Sequence, residues 1–168
     1  MFHVDSLHDF LRYNDWANDC LLQASVAFSD VQLDQPFDVG PGSLRRILIH
    51  IWAGEQTWLQ RWRGRAETPW PNETEKVPIA DLAQRFAGVR TERTAFIGAL
   101  SHASLSAEIT YRDSKGSLFR ATLSDMLMQG IIHSIHHRAQ SVNVIRRVGG
   151  AIVDLDYMYW VRKPAIVE

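Results

Sequence analysis

Apolar residues recur at three- and four-residue steps in four separate stretches of this chain, and that spacing places them on one face of an α-helix. The stretches cover residues 7–28, 44–62, 79–100 and 122–147. Four amphipathic helices of about 20 residues bury their apolar faces most simply against one another. We therefore predict an all-α four-helix bundle formed by a single domain, 1–168. Because long linkers follow the first two helices, a simple up-down-up-down order cannot be assumed.

Local signals at the ends of these stretches refine the prediction. Ser6 followed by Asp9 resembles a capping signal, Ser43 is a suitable N-cap for the second helix, and Gly149-Gly150 should end the fourth. Between the third and fourth helices, residues 107–122 alternate in polarity around turn-forming residues, which indicates a short β-hairpin or an extended stretch. A short C-terminal helix is expected from Asp156 to Val161.

Charge and hydropathy exclude several classes of partner. Lys and Arg number 18 and Asp and Glu 19, without a long basic run, so we expect no nucleic-acid surface. There is no apolar run of membrane-spanning length, and the opening MFHVDSLHDF lacks the pattern of a secretory signal. The single cysteine, Cys20, fits a reducing compartment, so the predicted location is the cytoplasm. Within its helical stretch Cys20 is better explained as a small core residue than as a nucleophile.

Tryptophan is concentrated in one part of the sequence. Four of the six tryptophans fall between residues 52 and 70: Trp52, Trp58, Trp62 and Trp70. Two interpretations are open, namely ordinary core packing near a helix end, or an aromatic wall of a ligand pocket or subunit interface.

The segment IIHSIHHRAQ, residues 131–140, carries three histidines in five positions. At about 100° per residue, His133 and His137 lie on one side of the helix, in line with Met126, Gly130 and Val144. His136 lies instead on a polar row. Histidines four positions apart present two imidazoles to one ion, so an inward-facing metal-binding pair is one interpretation and unrelated boundary histidines are the other.

A third ligand would have to come from another helix. His50 is the best candidate, because it lies at the edge of the second helix's apolar face beside the small residues Ala53 and Gly54. The other histidines, His3, His8 and His102, are better explained as solvent-facing or capping residues. The chain has no HExxH, GxGxxG, P-loop or GxSxG motif, and it lacks the Glu-x-x-His pairs of a ferritin-like di-iron site.

Taken together, these segments resemble a known family. The stretch HIWAGEQTWLQRW, followed some 80 residues later by TLSDMLMQGII and HSIHHRAQ, and preceded by YNDWANDCLL, is similar to the DinB/YfiT-like four-helix-bundle metalloproteins over nearly the whole chain. The resemblance implies that His50, His133 and His137 are the metal ligands and His136 is not. One departure is Ala139, where the family usually has Gly. The resemblance also implies a homodimer.

The resemblance implies a function as well as a fold. Three imidazoles leave a coordination position open, as in reactive metal centres. Some members of the family are thiol transferases that use low-molecular-weight thiols, and others are metal-dependent isomerases or hydrolases. We therefore expect a divalent-metal-dependent transferase acting with a small thiol on an electrophile, or a hydrolase, with zinc or nickel favoured over iron or manganese. The alternative is a non-catalytic, stress-related bundle that binds metal or senses a small ligand.

Three further residues are candidates for supporting roles. Glu55 and Gln140 lie within a turn or two of the histidines and would orient imidazole N–H groups, unless they belong to solvated helix faces. Arg138 would form an ion pair with an acidic helix residue or bind an anionic substrate group. No residue stands out as a catalytic group.

Overall fold

The computed structural model describes residues 4–163 and confirms the predicted all-α bundle with a small β-hairpin. The helices are α1 (Val4–Ser25), α2 (Asp30–Asp34), α3 (Leu44–Trp62), α4 (Ile79–Gly98), α5 (Leu123–Arg147) and α6 (Tyr157–Val161). A 3₁₀ turn (Ala103–Ser106) precedes the strands β1 (Glu108–Arg112) and β2 (Leu118–Thr122). The long helices α1, α3, α4 and α5 correspond to the four stretches of helical spacing.

Side-chain caps fix where two of the long helices begin. Ser43 accepts a hydrogen bond from the backbone of Arg46 and starts α3, as predicted. Thr122 likewise accepts a hydrogen bond from the backbone of Asp125 and starts α5. The capping role expected of Ser6 is wrong, because α1 is already helical at Val4. Helix α2 was not predicted, because it is only five residues long; it begins at a capping box formed by Ser29 and Gln32.

The four long helices of the described region pack in a ring. Helix α5 packs against α3 and α1, and α4 packs against the same two helices. Helices α1 and α3, which follow each other as long helices in sequence, therefore lie on one diagonal of the bundle. The long linkers allow this arrangement, so the doubt about up-down-up-down order was justified.

Two apolar clusters fill the bundle, and a polar layer lies between them. One cluster includes Leu21, Ile51 and Val144, and the other includes Leu11 and Trp58 along with further apolar residues of α3 and α5. Along α1, α3 and α5, buried polar side chains separate the two clusters, and on α4 Arg93 lies between Val89 and Ile97 of the second cluster. These residues are Asn14, Asn18, Glu55, Arg93, Ser134 and Arg138. The bundle core is thus interrupted at mid-height by hydrogen-bonding groups.

The β-hairpin and the loop at residues 63–78 pack beside the long helices. The hairpin pairs β1 and β2 antiparallel, with Tyr111 opposite Phe119, and its turn is closed by Asp113, which accepts hydrogen bonds from the backbone of Lys115 and Ser117. The loop at residues 63–78 is tied to the hairpin by an ion pair between Arg112 and Glu67.

Two further predictions concern membrane-spanning segments and the histidines outside the cluster. Within residues 4–163, no helix has both the length and the apolar character needed to cross a membrane. His3 lies outside the described residues. His8 is half-buried on α1, and His102 is exposed beyond the end of α4.

Candidate metal centre

The structure brings His50 of α3 together with His133 and His137 of α5. Their nearest ligand atoms all lie within 4.8 Å of one another, and this is the one such group of potential metal ligands within residues 4–163. The ring centroid of His50 lies 5.0 Å from that of His133 and 4.3 Å from that of His137. The three residues that the sequence analysis selected therefore form one cluster. His136 is exposed, as its polar row predicted, and its ring packs edge-on against that of His137 without joining the group of potential ligands.

The absence of a side chain at Gly54 makes room for this cluster. A Cβ atom added at Gly54 would lie 2.6 Å from Cε1 of His133 and 2.7 Å from Nδ1, which is closer than real Cβ atoms approach. The His133 ring thus packs directly on the backbone of α3, one turn after His50. This explains why a small residue follows His50 at that position.

A carboxylate from the loop at residues 63–78 orients His50. Nδ1 of His50 lies 2.5 Å from Oε1 of Glu73, and the indole N–H of Trp70 donates to the same oxygen. Burial of Glu73 disfavours its ionised form, but the hydrogen bonds from His50 and Trp70 outweigh this and lower the pKa of Glu73. An ionised Glu73 keeps the proton of His50 on Nδ1 and leaves Nε2 unprotonated.

An amide performs the same task for His137. Nδ1 of His137 lies 2.8 Å from Oε1 of Gln140, while the amide nitrogen of Gln140 lies 3.0 Å from Nε2 of His136. His136 thereby fixes which way the amide points. A Cβ atom at Gly40 would lie 2.2 Å from Oε1 of Gln140, so the loop before α3 holds this amide in place. The predicted supporting role of Gln140 is therefore consistent with the structure.

Burial and the neighbouring imidazoles disfavour the charged form of His133. Burial, followed by the neighbouring His137 and His50, lowers the pKa of His133 to about 4. Burial likewise lowers the pKa of His137. Both rings are neutral at pH 7, and neutral imidazole is the form that binds a metal ion. Nδ1 of His133 is buried and has no hydrogen-bond partner among the described residues.

The arrangement fits a transition-metal ion. Nε2 of His133 and Nε2 of His50 lie 3.2 Å apart. Two imidazole nitrogens bound to a tetrahedral zinc ion are separated by about 3.3 Å, given Zn–N distances near 2.0–2.1 Å. With no ion bound, the same distance suits a hydrogen bond between the two nitrogens, because no partner among the described residues fixes the proton of His133 on Nδ1. Three convergent nitrogens, two of them with an outer partner on Nδ1, form an open rather than a closed site.

A cavity of about 370 Å³ lies beside the cluster. His133 forms part of its wall, and so do the aromatic residues Trp58, Trp70 and Tyr111. The ring of Trp70 lies 5.3 Å from that of His50. Both interpretations of the tryptophans therefore hold, because Trp58 and Trp62 pack in the core and Trp58 also lines the cavity with Trp70.

The supporting role predicted for Glu55 is wrong, and so is the ion pair predicted for Arg138. Glu55 is 6% exposed and forms no hydrogen bond to any histidine that the structure describes; it accepts hydrogen bonds from Asn14, Asn18 and Arg93 within the polar layer. Arg138 donates to the side-chain oxygens of Asn14 and Asn18 instead of pairing with a carboxylate within residues 4–163. The two asparagines therefore link Glu55 to Arg138, and neither charged residue belongs to the histidine cluster.

Glu73 is the residue of the centre that the sequence analysis missed. It lies in an irregular loop, 23 residues after His50, where no helical spacing relates it to a ligand. The one available signal was the pattern of a Trp and a Glu, Trp70 and Glu73, three positions apart in a linker after the first candidate ligand.

Comparisons with known proteins agree with this architecture. The model of the DinB family matches residues 1–164. A DinB-like protein from Bacillus cereus superposes with a TM-score of 0.65 at 20% identity, covering 86% of this chain and 94% of the other. YfiT from Bacillus subtilis, described as a probable metal-dependent hydrolase with an unusual four-helix bundle topology, superposes with a TM-score of 0.69 at 17% identity, covering 90% and 92%. No curated protein matches the sequence.

Proposed function

Since the chain belongs to the DinB family, we propose that it is a metal-dependent hydrolase whose divalent transition-metal ion is held by His50, His133 and His137. The observation that carries the proposal is the convergence of three imidazole nitrogens beside an aromatic cavity. The likeness to YfiT, described as a probable metal-dependent hydrolase, supports the reaction class. An ion with three neutral ligands and an open position lowers the pKa of bound water and polarises an acceptor oxygen.

The protein's own residues prepare the site for this chemistry. Glu73 holds the Nδ1 proton of His50, and Gln140 holds that of His137, so that both rings direct Nε2 towards the same point. The ring of Trp70 packs against those of His50 and His133. Imidazole ligands suit zinc, nickel and iron, so the donor set favours a transition metal over calcium or magnesium.

The first experiment measures metal content and hydrolysis together. Untagged protein should contain about one equivalent of a transition metal by mass spectrometry, as expected for a single three-ligand site. A panel of small esters and amides should be hydrolysed by this protein, with activity lost on chelation and restored by zinc or nickel. The same panel with added small thiols separates hydrolysis from thiol transfer. Protein that binds one equivalent of metal and catalyses neither reaction would instead be a metal-binding or ligand-sensing bundle.

The close contact at Gly54 yields a specific prediction. We expect Gly54→Ala to lower zinc affinity by about tenfold or more, because the new methyl group displaces the His133 ring from its place beside His50. Gly88→Ala on α4 is the matched control, since nothing lies within 4 Å of its added Cβ. It should leave zinc affinity unchanged while stabilising the protein by about 0.5–1 kcal/mol. Competition titration with a chromogenic chelator measures the zinc affinity of each variant. Equal affinities for the two variants would contradict the assigned packing.

A further inference from the structure

The cavity beside the histidine cluster contains a buried cation without a counter-charge. Arg61 is 7% exposed, forms part of the cavity wall, and has a buried Nε with no hydrogen-bond partner. Within residues 4–163 no carboxylate forms an ion pair with it. Most other arginines of the described region are paired, including Arg93 with Glu55 and Asp15. A buried, unpaired guanidinium is costly, which calls for an explanation.

Aromatic rings, rather than anions, surround this guanidinium. It lies 4.8 Å from the ring centroid of Trp58 and 5.3 Å from that of Tyr111. Because both rings line the same cavity, the guanidinium between them must border it too. These contacts hold the side chain in one orientation and offset part of its desolvation, but they leave its N–H groups free for an acceptor.

The nearest acidic side chain does not neutralise Arg61. Asp113 also lines the cavity, but one of its oxygens accepts hydrogen bonds from the backbone of Lys115 and Ser117 in the hairpin turn. Burial lowers the pKa of Arg61, and the charge of Asp113 only partly opposes that effect. The guanidinium stays charged at neutral pH, since its ordinary value lies far above 7. The cavity therefore combines a retained positive charge with aromatic walls.

From this arrangement we propose that Arg61 binds the carboxylate of the substrate, and that the substrate class is small carboxylates with an aromatic or apolar body. His133 lies on the wall of the same cavity, so a molecule anchored at Arg61 can place a second group at the histidine cluster. The aromatic residues Trp58, Trp70 and Tyr111 suit the apolar body. The role as a substrate anchor rests on the proposed metal-dependent function, whereas carboxylate binding itself does not.

A pair of probes of equal shape tests the anchor. Phenylacetate and phenylacetamide differ in charge but hardly in size, and quenching of tryptophan fluorescence reports their binding near Trp58 and Trp70. In zinc-free protein we expect phenylacetate to bind about tenfold more tightly or better, because the charge-assisted hydrogen bond to Arg61 is available only to the carboxylate. Equal dissociation constants for the two probes, or no binding of phenylacetate, would overturn the proposal.

Variants assign the preference to Arg61. Arg61→Gln should abolish the preference for phenylacetate, and Arg61→Lys should keep part of it. Arg63→Gln is the control, because Arg63 pairs with Glu92 on α4; it should behave like wild type. If Arg61→Gln retains the preference, the anion binds elsewhere and the proposal is wrong. Where that variant does not fold, the comparison of the two probes on wild type and Arg61→Lys still decides.

Measuring the zinc content of the same variants as purified, before zinc is removed, separates this proposal from the previous one. Loss of the carboxylate preference in Arg61→Gln at unchanged zinc content supports the anchor. If wild type binds no zinc but still prefers phenylacetate, the metal-dependent function fails and the anion site stands.

Discussion

The double variant His133→Ala/His137→Ala should lose zinc and nickel affinity by on the order of a thousandfold or more. Each imidazole contributes one of the three ligands, and the variant leaves only His50, which cannot hold an ion at micromolar concentration by itself. Nε2 of His50 and Nε2 of His133 lie 3.2 Å apart, which is the separation of two imidazole ligands on one zinc ion. Isothermal titration of the metal-free proteins with zinc or nickel measures the loss of affinity. The metal content of both proteins as purified gives a second comparison.

Two further variants make this result specific. His136→Ala removes an adjacent imidazole that contacts Gln140 but faces solvent, so it should bind zinc within a few-fold of wild type. Glu73→Gln keeps all three ligands but removes the charge that orients His50, and we expect a loss of about 10–100-fold. If the double variant still binds one equivalent as tightly as wild type, the three histidines are not the metal site.

Residues on the long helices were predictable because helical spacing relates them to the core. His133 and His137 lie four positions apart on α5, and their inward direction follows from their alignment with Met126, Gly130 and Val144. His50 could be selected because small neighbours left space at the edge of an apolar face. These inferences need only the geometry of a single helix at a time.

The outer partners of the site depend on contacts that no single helix determines. Glu73 reaches His50 from an irregular loop, and Tyr111 reaches Arg61 from a hairpin distant in sequence. Glu55 is adjacent in space to the site but bonds to α1 and α4 instead of to a histidine. Spacing along one helix places Glu55 near the ligands, but only the packing of four helices decides which groups its oxygens meet.

Glu55 connects the long helices through the polar layer and does not orient a histidine of the cluster. One carboxylate oxygen accepts hydrogen bonds from Asn14 at 2.6 Å and Asn18 at 2.7 Å, and the other accepts from Arg93 at 2.6 Å. Ser134 of α5 lies 3.4 Å from the first oxygen. A single side chain on α3 thus contacts all three other long helices. The burial of Arg93 opposes its charge, but Glu55 and Asp15 outweigh this and raise the pKa of Arg93.

Because Glu55 joins all four helices, we expect Glu55→Ala to destabilise the protein by about 3–5 kcal/mol, since Arg93 keeps only Asp15 as a counter-charge and Asn14 and Asn18 lose their buried acceptor. Arg93 is only 3% exposed and cannot turn to solvent. The matched control is Glu92→Ala, one residue earlier on α4, which breaks the exposed pair with Arg63 and should cost about 0–1 kcal/mol. Urea unfolding in the presence of a chelator measures the free energy of unfolding of both variants without a contribution from metal binding. Similar losses in the two variants would show that the polar layer contributes no more than a surface ion pair.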